Sequence, residues 1–123
     1  MVWEALAERV RRYPEEFARC VSSIIQRYGG KVTVILFGSR AAGRHSASSD
    51  YDIMVVVPSY ADYFDEMAQI RRLCRGVPVD VVLFAKDEFV LDGIVAKMLE
   101  SCVTIHDGLS LSPCQQAVAV SPQ

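Results

Sequence analysis

A chain of 123 residues is one domain's worth of sequence, long enough for a real core but short for an enzyme that binds two substrates unaided. Its net charge of -2 and pI near 5.6 exclude a general attraction to nucleic acid or to an anionic membrane, so neither is expected as a partner. Hydrophobic residues make up 51% of the chain, which fits a parallel-sheet core or apolar surface covered by a partner, yet no run reaches the ~18 apolar residues of a membrane span.

In chain order, Met1-Val2-Trp3-Glu4 lacks the basic and apolar segments of a secretory signal, which predicts a cytoplasmic protein. Trp3, Leu6, Ala7 and Val10 fall on one helical face, while Pro14 disfavours helix at Tyr13 and opens a second helix with Glu15 and Glu16 in its first turn. Phe17, Val21, Ile24, Ile25 and Tyr28 continue that helix at spacings of three and four, until Gly29-Gly30 stops it. Val32 to Phe37 reads as the first strand, Ser39 to Ala42 as a helical turn, Gly43 to Ser49 as a polar loop, and Asp50 to Val57 as the second strand before Pro58. Ser59 and Asp62 have capping-box spacing ahead of a crossover helix marked by Tyr63, Phe64, Met67, Ile70 and Cys74 and ended by Gly76. Val77 to Phe84 is the third strand. Asp87 is expected to cap a last helix with Leu91, Ile94, Val95, Met98 and Leu99 inward, followed by a short strand from Val103 to His106.

These elements compose an α/β domain over residues 1–108, with a small, mixed, twisted sheet of about four strands flanked by helices. Residues 109–123 lose periodicity and are expected to form a loose tail, in which Val118-Ala119-Val120 could still dock. Cys20, Cys74, Cys102 and Cys114 are scattered, without a C-x-x-C pair or nearby His cluster. That argues against structural zinc and predicts buried free thiols, with a disulfide left open.

The chemistry concentrates in Phe37-Gly38-Ser39-Arg40-Ala41-Ala42-Gly43 followed by Ser49-Asp50-Tyr51-Asp52-Ile53, in outline G-S, ten residues, then D-x-D. Gly38 has no side chain to bar a bulky anion from the backbone, and Ser39 can donate a hydroxyl and start a helix whose N-terminal amides favour negative charge. Asp50 and Asp52, at i and i+2 of a strand, point to one face, where two like charges are unfavourable unless a cation or protons offset them. Neither G-x-G-x-x-G nor a G-K-[ST] loop occurs, which disfavours a dinucleotide-binding or P-loop reading.

This pattern resembles the signature of the polymerase-beta-like nucleotidyltransferases, h-G-[GS], a spacer of similar length, then D-h-[DE]-h. FGSRAAG…SDYDIMVVV is most similar to the minimal nucleotidyltransferases, many of them antitoxin partners of HEPN-domain proteins. The motif covers residues 36–57, and the order of elements agrees from about Pro14 to Asp107. The resemblance implies a polymerase-beta-like core and two magnesium ions about 4 Å apart, bridged by the triphosphate of ATP or another NTP. Asp50 and Asp52 would hold the metals. Asp80, an acid amid Val79, Val81, Val82 and Leu83, would be the third catalytic carboxylate, binding metal and orienting or deprotonating the acceptor hydroxyl. Gly38 and Ser39 would contact the β- and γ-phosphates, and Arg40 would either join them there or form a surface ion pair.

Other residues carry plainer expectations. Gly43 permits the turn that ends the helical segment, Arg44 and His45 are solvated loop residues, and His106 is a surface residue. Arg71, Arg72 and Arg75 offset the negative end of the crossover helix, with an acidic partner patch as the alternative; the cluster is too small to argue RNA binding. The expected activity is transfer of NMP, AMP from ATP first, to a hydroxyl of a HEPN-type partner protein. Alternatives are a catalytically silent antitoxin that acts by contact, or a transferase acting on a small molecule or an RNA end; homo-oligomerisation stays open.

Overall fold

The computed structural model describes residues 2–114. Helices α1 (Val2–Arg11) and α2 (Tyr13–Arg27) lead into strand β1 (Thr33–Phe37), the short helix α3 (Gly38–Ala42) and β2 (Tyr51–Val57). Helix α4 (Tyr63–Leu73), β3 (Val79–Ala85), a 3-10 turn (Lys86–Glu88), α5 (Gly93–Met98) and β4 (Cys102–Asp107) follow.

The four strands form one mixed sheet in the order β3-β2-β1-β4. Strand β1 is antiparallel to both β2 and β4, whereas β3 runs parallel to β2 because α4 carries the chain back across one face. Alternation along each strand then separates two cores. On one face, Val34, Ile53, Val55, Val57, Val81 and Leu83 pack under α2 and α4. On the other, Ile35, Met54 and Val56 meet Val95 and Leu99 of α5 and its flank. Pairing across α2 and α4 is polar at the rim, where Arg27 and Tyr28 both reach Glu66, and burial pushes the Tyr28 phenol up to about 12.

Several expectations change. Cys20 joins Cys74, and Cys102 joins Cys114, as disulfides, so the free thiols expected from their scatter are absent among the described residues. Sequence separation hid the pairing: α2 and the end of α4 cover the same face, which brings the first pair's Cα atoms to 4.5 Å. The cap of α4 is Asp62, whose carboxylate accepts the Asp65 N–H at 2.9 Å, not Ser59. Asp87 sits inside the 3-10 turn, and the last helix starts six residues later at Gly93, which leaves Ile94 76% exposed instead of inward.

Helix α1 buries none of its residues, and Trp3 stands 77% exposed. His106 is not a simple surface residue, since its Nε2 meets the Gly30 carbonyl at 2.9 Å. Leu109, Leu111 and Cys114, from the segment expected to be loose, pack into the α5-side core; Val118-Ala119-Val120 lies outside the described residues. No helix among the described residues is long and apolar enough to cross a membrane.

Candidate active site

Strand β1 ends where the chemistry begins. Phe37 pairs with Asp52, and the chain turns directly into α3 through Gly38 at φ +75, a region that side chains disfavour. A Cβ at Gly38 would lie 2.3 Å from Asp52 Oδ2. Glycine is therefore required twice over, and the G-S and D-x-D halves of the sequence pattern meet at this contact. After one short helix, Gly43 at φ +77 closes it, with the Arg44 N–H donating to the Ser39 carbonyl at 2.9 Å.

The carboxylates come from two adjacent strands. Register places Asp52 beside Asp80 across the parallel β2–β3 pair, and Asp50 precedes β2 by one residue. By alternation with Met54 and Val82, Asp52 and Asp80 share the α5 side of the sheet, and Asp50 lies on that side at i-2 from Asp52. Burial raises the Asp52 pKa, and the charges of Asp80 and then Asp50 raise it further. Asp50 and Asp80 are themselves exposed. For Asp80 the reason is its place: β3 is an edge strand, and Asp80 is only its second residue.

Among the described residues no three His, Cys, Asp or Glu side chains form a ready metal cage. An open set of two or three hard carboxylate oxygens is nonetheless what magnesium accepts when phosphates and water complete its shell. Burial first, and then the like charges of Asp80 and Asp50, disfavour the Asp52 carboxylate, and a cation would offset both, so these residues fit it.

Arg40 stands elsewhere. Its Nε donates to the Ser49 carbonyl at 3.1 Å, and its Nη2 donates to the carbonyls of Ser49, Ala47 and Ser46 at 2.9, 3.0 and 3.3 Å. The guanidinium lies 3.8 Å from the centre of the Tyr51 ring, and Phe17 of α2 stacks on the same ring at 4.1 Å. Neither aromatic residue stands out in the sequence as part of a site. The available signal was an aromatic residue between the two aspartates, which alternation sends to the opposite face. Arg44 and His45 are exposed in the loop, as expected of solvated residues. A cavity of about 520 Å³, lined by Glu8 and Glu16 as well as Arg9, Arg12 and Arg75, opens beside α1 and α2 and contains none of Asp50, Asp52 and Asp80.

With this geometry in place, the comparisons with known proteins are specific. Residues 15–105 match the family model described as a nucleotidyltransferase domain. A crystal structure of a Sulfolobus solfataricus protein, provisionally described as a nucleotidyltransferase, is similar to this chain at 25% identity and a TM-score of 0.57, covering 80% of this chain and 83% of its own. No curated protein sequence matches.

Proposed function

Since the chain belongs to the nucleotidyltransferase domain family, we propose that it transfers a nucleotidyl group from an NTP, AMP from ATP first, to a hydroxyl on a partner protein. The observation that carries the reading is the close approach of Gly38 to Asp52, which joins the glycine turn of the G-S pair to the carboxylates of Asp52 and Asp80. Asp50, Asp52 and Asp80 would hold magnesium, which when bound would neutralise charge at the α-phosphate and on the departing pyrophosphate. Gly38 leaves the backbone open to the β- and γ-phosphates, and the Ser39 hydroxyl donates to them. The acceptor oxygen forms a bond to the α-phosphorus as the bond to the pyrophosphate oxygen breaks. Asp80, exposed at the sheet edge, would take the acceptor's proton.

A protein acceptor is favoured by what the domain exposes. Trp3, Phe64 and Ile94 are large apolar side chains left in solvent. A HEPN-type toxin, which this chain would restrain as a cytoplasmic antitoxin, is the partner that the sequence resemblance suggests.

The test is incubation of purified protein, alone and with the product of its neighbouring gene, with magnesium and each labelled NTP, followed by mass spectrometry. Label on the neighbour that disappears in Asp50→Asn and Asp52→Asn variants supports the reading and names the donor. Tight complex formation without label would replace it with an antitoxin acting by contact. Absence of both would redirect attention to a small-molecule or RNA acceptor.

A further inference from the structure

Asp50 has a structural problem that Asp52 does not. Asp52 lies within β2 and is held by the sheet, whereas Asp50 ends an irregular loop that begins at Gly43, and its own position is outside any strand. A loop of that length has many conformations, and a metal-binding carboxylate at its end is useful only if one of them is selected.

We propose that Arg40 is the positioning residue that selects it, by clamping the end of the loop onto the Tyr51 ring. The guanidinium spans three loop acceptors, the carbonyls of Ser46, Ala47 and Ser49, and Ser49 is the residue immediately before Asp50. The loop closes on itself at the same place, where the Ser46 N–H donates to Ser49 Oγ at 3.0 Å and the Ser49 N–H to the Ser46 carbonyl at 3.2 Å. Beneath the guanidinium is a rigid base. Tyr51 is 6% exposed, its ring is stacked on Phe17 within 11° of parallel, and its N–H donates to the Pro78 carbonyl at 2.9 Å.

Strand alternation gives this clamp its meaning. The Tyr51 ring faces α2, so a guanidinium lying on it works from the opposite side of β2 to the carboxylates. Arg40 thus acts on the site through the loop and contributes no direct contact to the phosphates. Only a planar fork both stacks on a ring and serves several carbonyls; a lysine at this position keeps the charge and loses the clamp.

The kinetic consequence rests on the transferase reading above, but the structural one does not, so two measurements are made on Arg40→Lys and Arg40→Ala. In hydrogen exchange, both variants are expected to lose protection in residues 44–50 while the four strands keep theirs, which shows that the fold survives. In the transfer assay both are expected to lower kcat by roughly 10- to 100-fold, as loss of a residue supporting a metal ligand does, with KM for the NTP nearly unchanged. Tyr51→Phe, which keeps the ring, should hold the loop as the wild type does, and Tyr51→Leu should release it. A rise in KM with loop protection intact would overturn the proposal in favour of a phosphate contact, and unchanged exchange in Arg40→Ala would overturn it outright. A released loop in a protein whose wild type transfers nothing would uphold the clamp and reject the transferase reading instead.

Discussion

The two ends of β1 each present an aspartate on a neighbouring strand, and they are treated in opposite ways. At the Phe37 end, Asp52 of β2 faces Asp80 and Asp50, and burial together with these like charges pushes its pKa up. At the Thr33 end, Asp107 of β4 accepts from the Thr33 hydroxyl at 2.9 Å, the Leu111 N–H at 2.8 Å and the Ser112 N–H at 2.9 Å. Burial works against the Asp107 charge too, but these donors outweigh it and the pKa falls. One carboxylate is satisfied by donors of the chain itself, and the other bears burial and like charge. A carboxylate left under strain marks a candidate site, whereas a satisfied one marks a joint made of the same residue type.

Substitution at the unsatisfied end should separate activity from stability most sharply. Asp52→Asn is expected to lower magnesium-dependent transfer by about 10²- to 10³-fold or more, the scale of removing one essential electrostatic group, while its melting temperature is no lower than that of the wild type. Transfer retained in that variant would remove the carboxylate from the mechanism. Gly38→Ala places a methyl against Asp52 Oδ2. It should cost roughly 100-fold in rate through misplacement of the acid and about 1–3 kcal/mol in stability through backbone strain, measured by kinetics and urea unfolding together.

The satisfied end should respond in the reverse sense. The segment that leaves Asp107 returns to Cys102 through the Cys102–Cys114 disulfide, which closes a separation of 12 residues. Replacing both cysteines by serine should cost about 3 kcal/mol by the loop-entropy relation, read by denaturant unfolding with and without reductant. Asp107→Asn removes charged acceptors from two backbone donors and from the fully buried Thr33. It should cost about 1–2 kcal/mol and leave transfer unaffected; a loss of transfer at unchanged stability would erase the distinction between the two ends.

The smallest effect is the pH dependence. The folded-state pKa of Asp107 lies below its ordinary 3.8, so its contribution is fully present above that value and is lost as pH falls through the folded one. The stability gap between wild type and Asp107→Asn should therefore close in acid. For Asp52 the folded value lies above 3.8, so stability is withdrawn as pH rises through it, and the wild type should gain on Asp52→Asn only in acid.

Much of this contrast was legible in the linear chain, though unevenly. The G-S and D-x-D spacing marked the candidate site at one end because a turn glycine and paired acids impose strict local requirements. The clasp at the other end carried no such mark. Asp107 and Thr33 are 74 residues apart, and nothing in either residue's neighbourhood announces the other. Helix starts were misplaced where several polar residues competed for one cap, as with Ser59 and Asp62, since the choice depends on where the incoming chain already lies. Tyr60, just after Ser59, is turned toward Glu88 and bonds its carboxylate, which keeps that stretch outside α4.

By itself the sequence determined the alternation of helices and strands, the mixed α/β class and the motif, because these depend on local periodicity, turn residues and spacing along the chain. Tertiary structure alone decided the sheet order, the two disulfides, the exposure of Asp80 at an edge and the seat of Arg40 on Tyr51. Those depend on which faces and strands become neighbours across long separations, and burial, charge repulsion and hydrogen-bond satisfaction acquire their values only after the chain has closed.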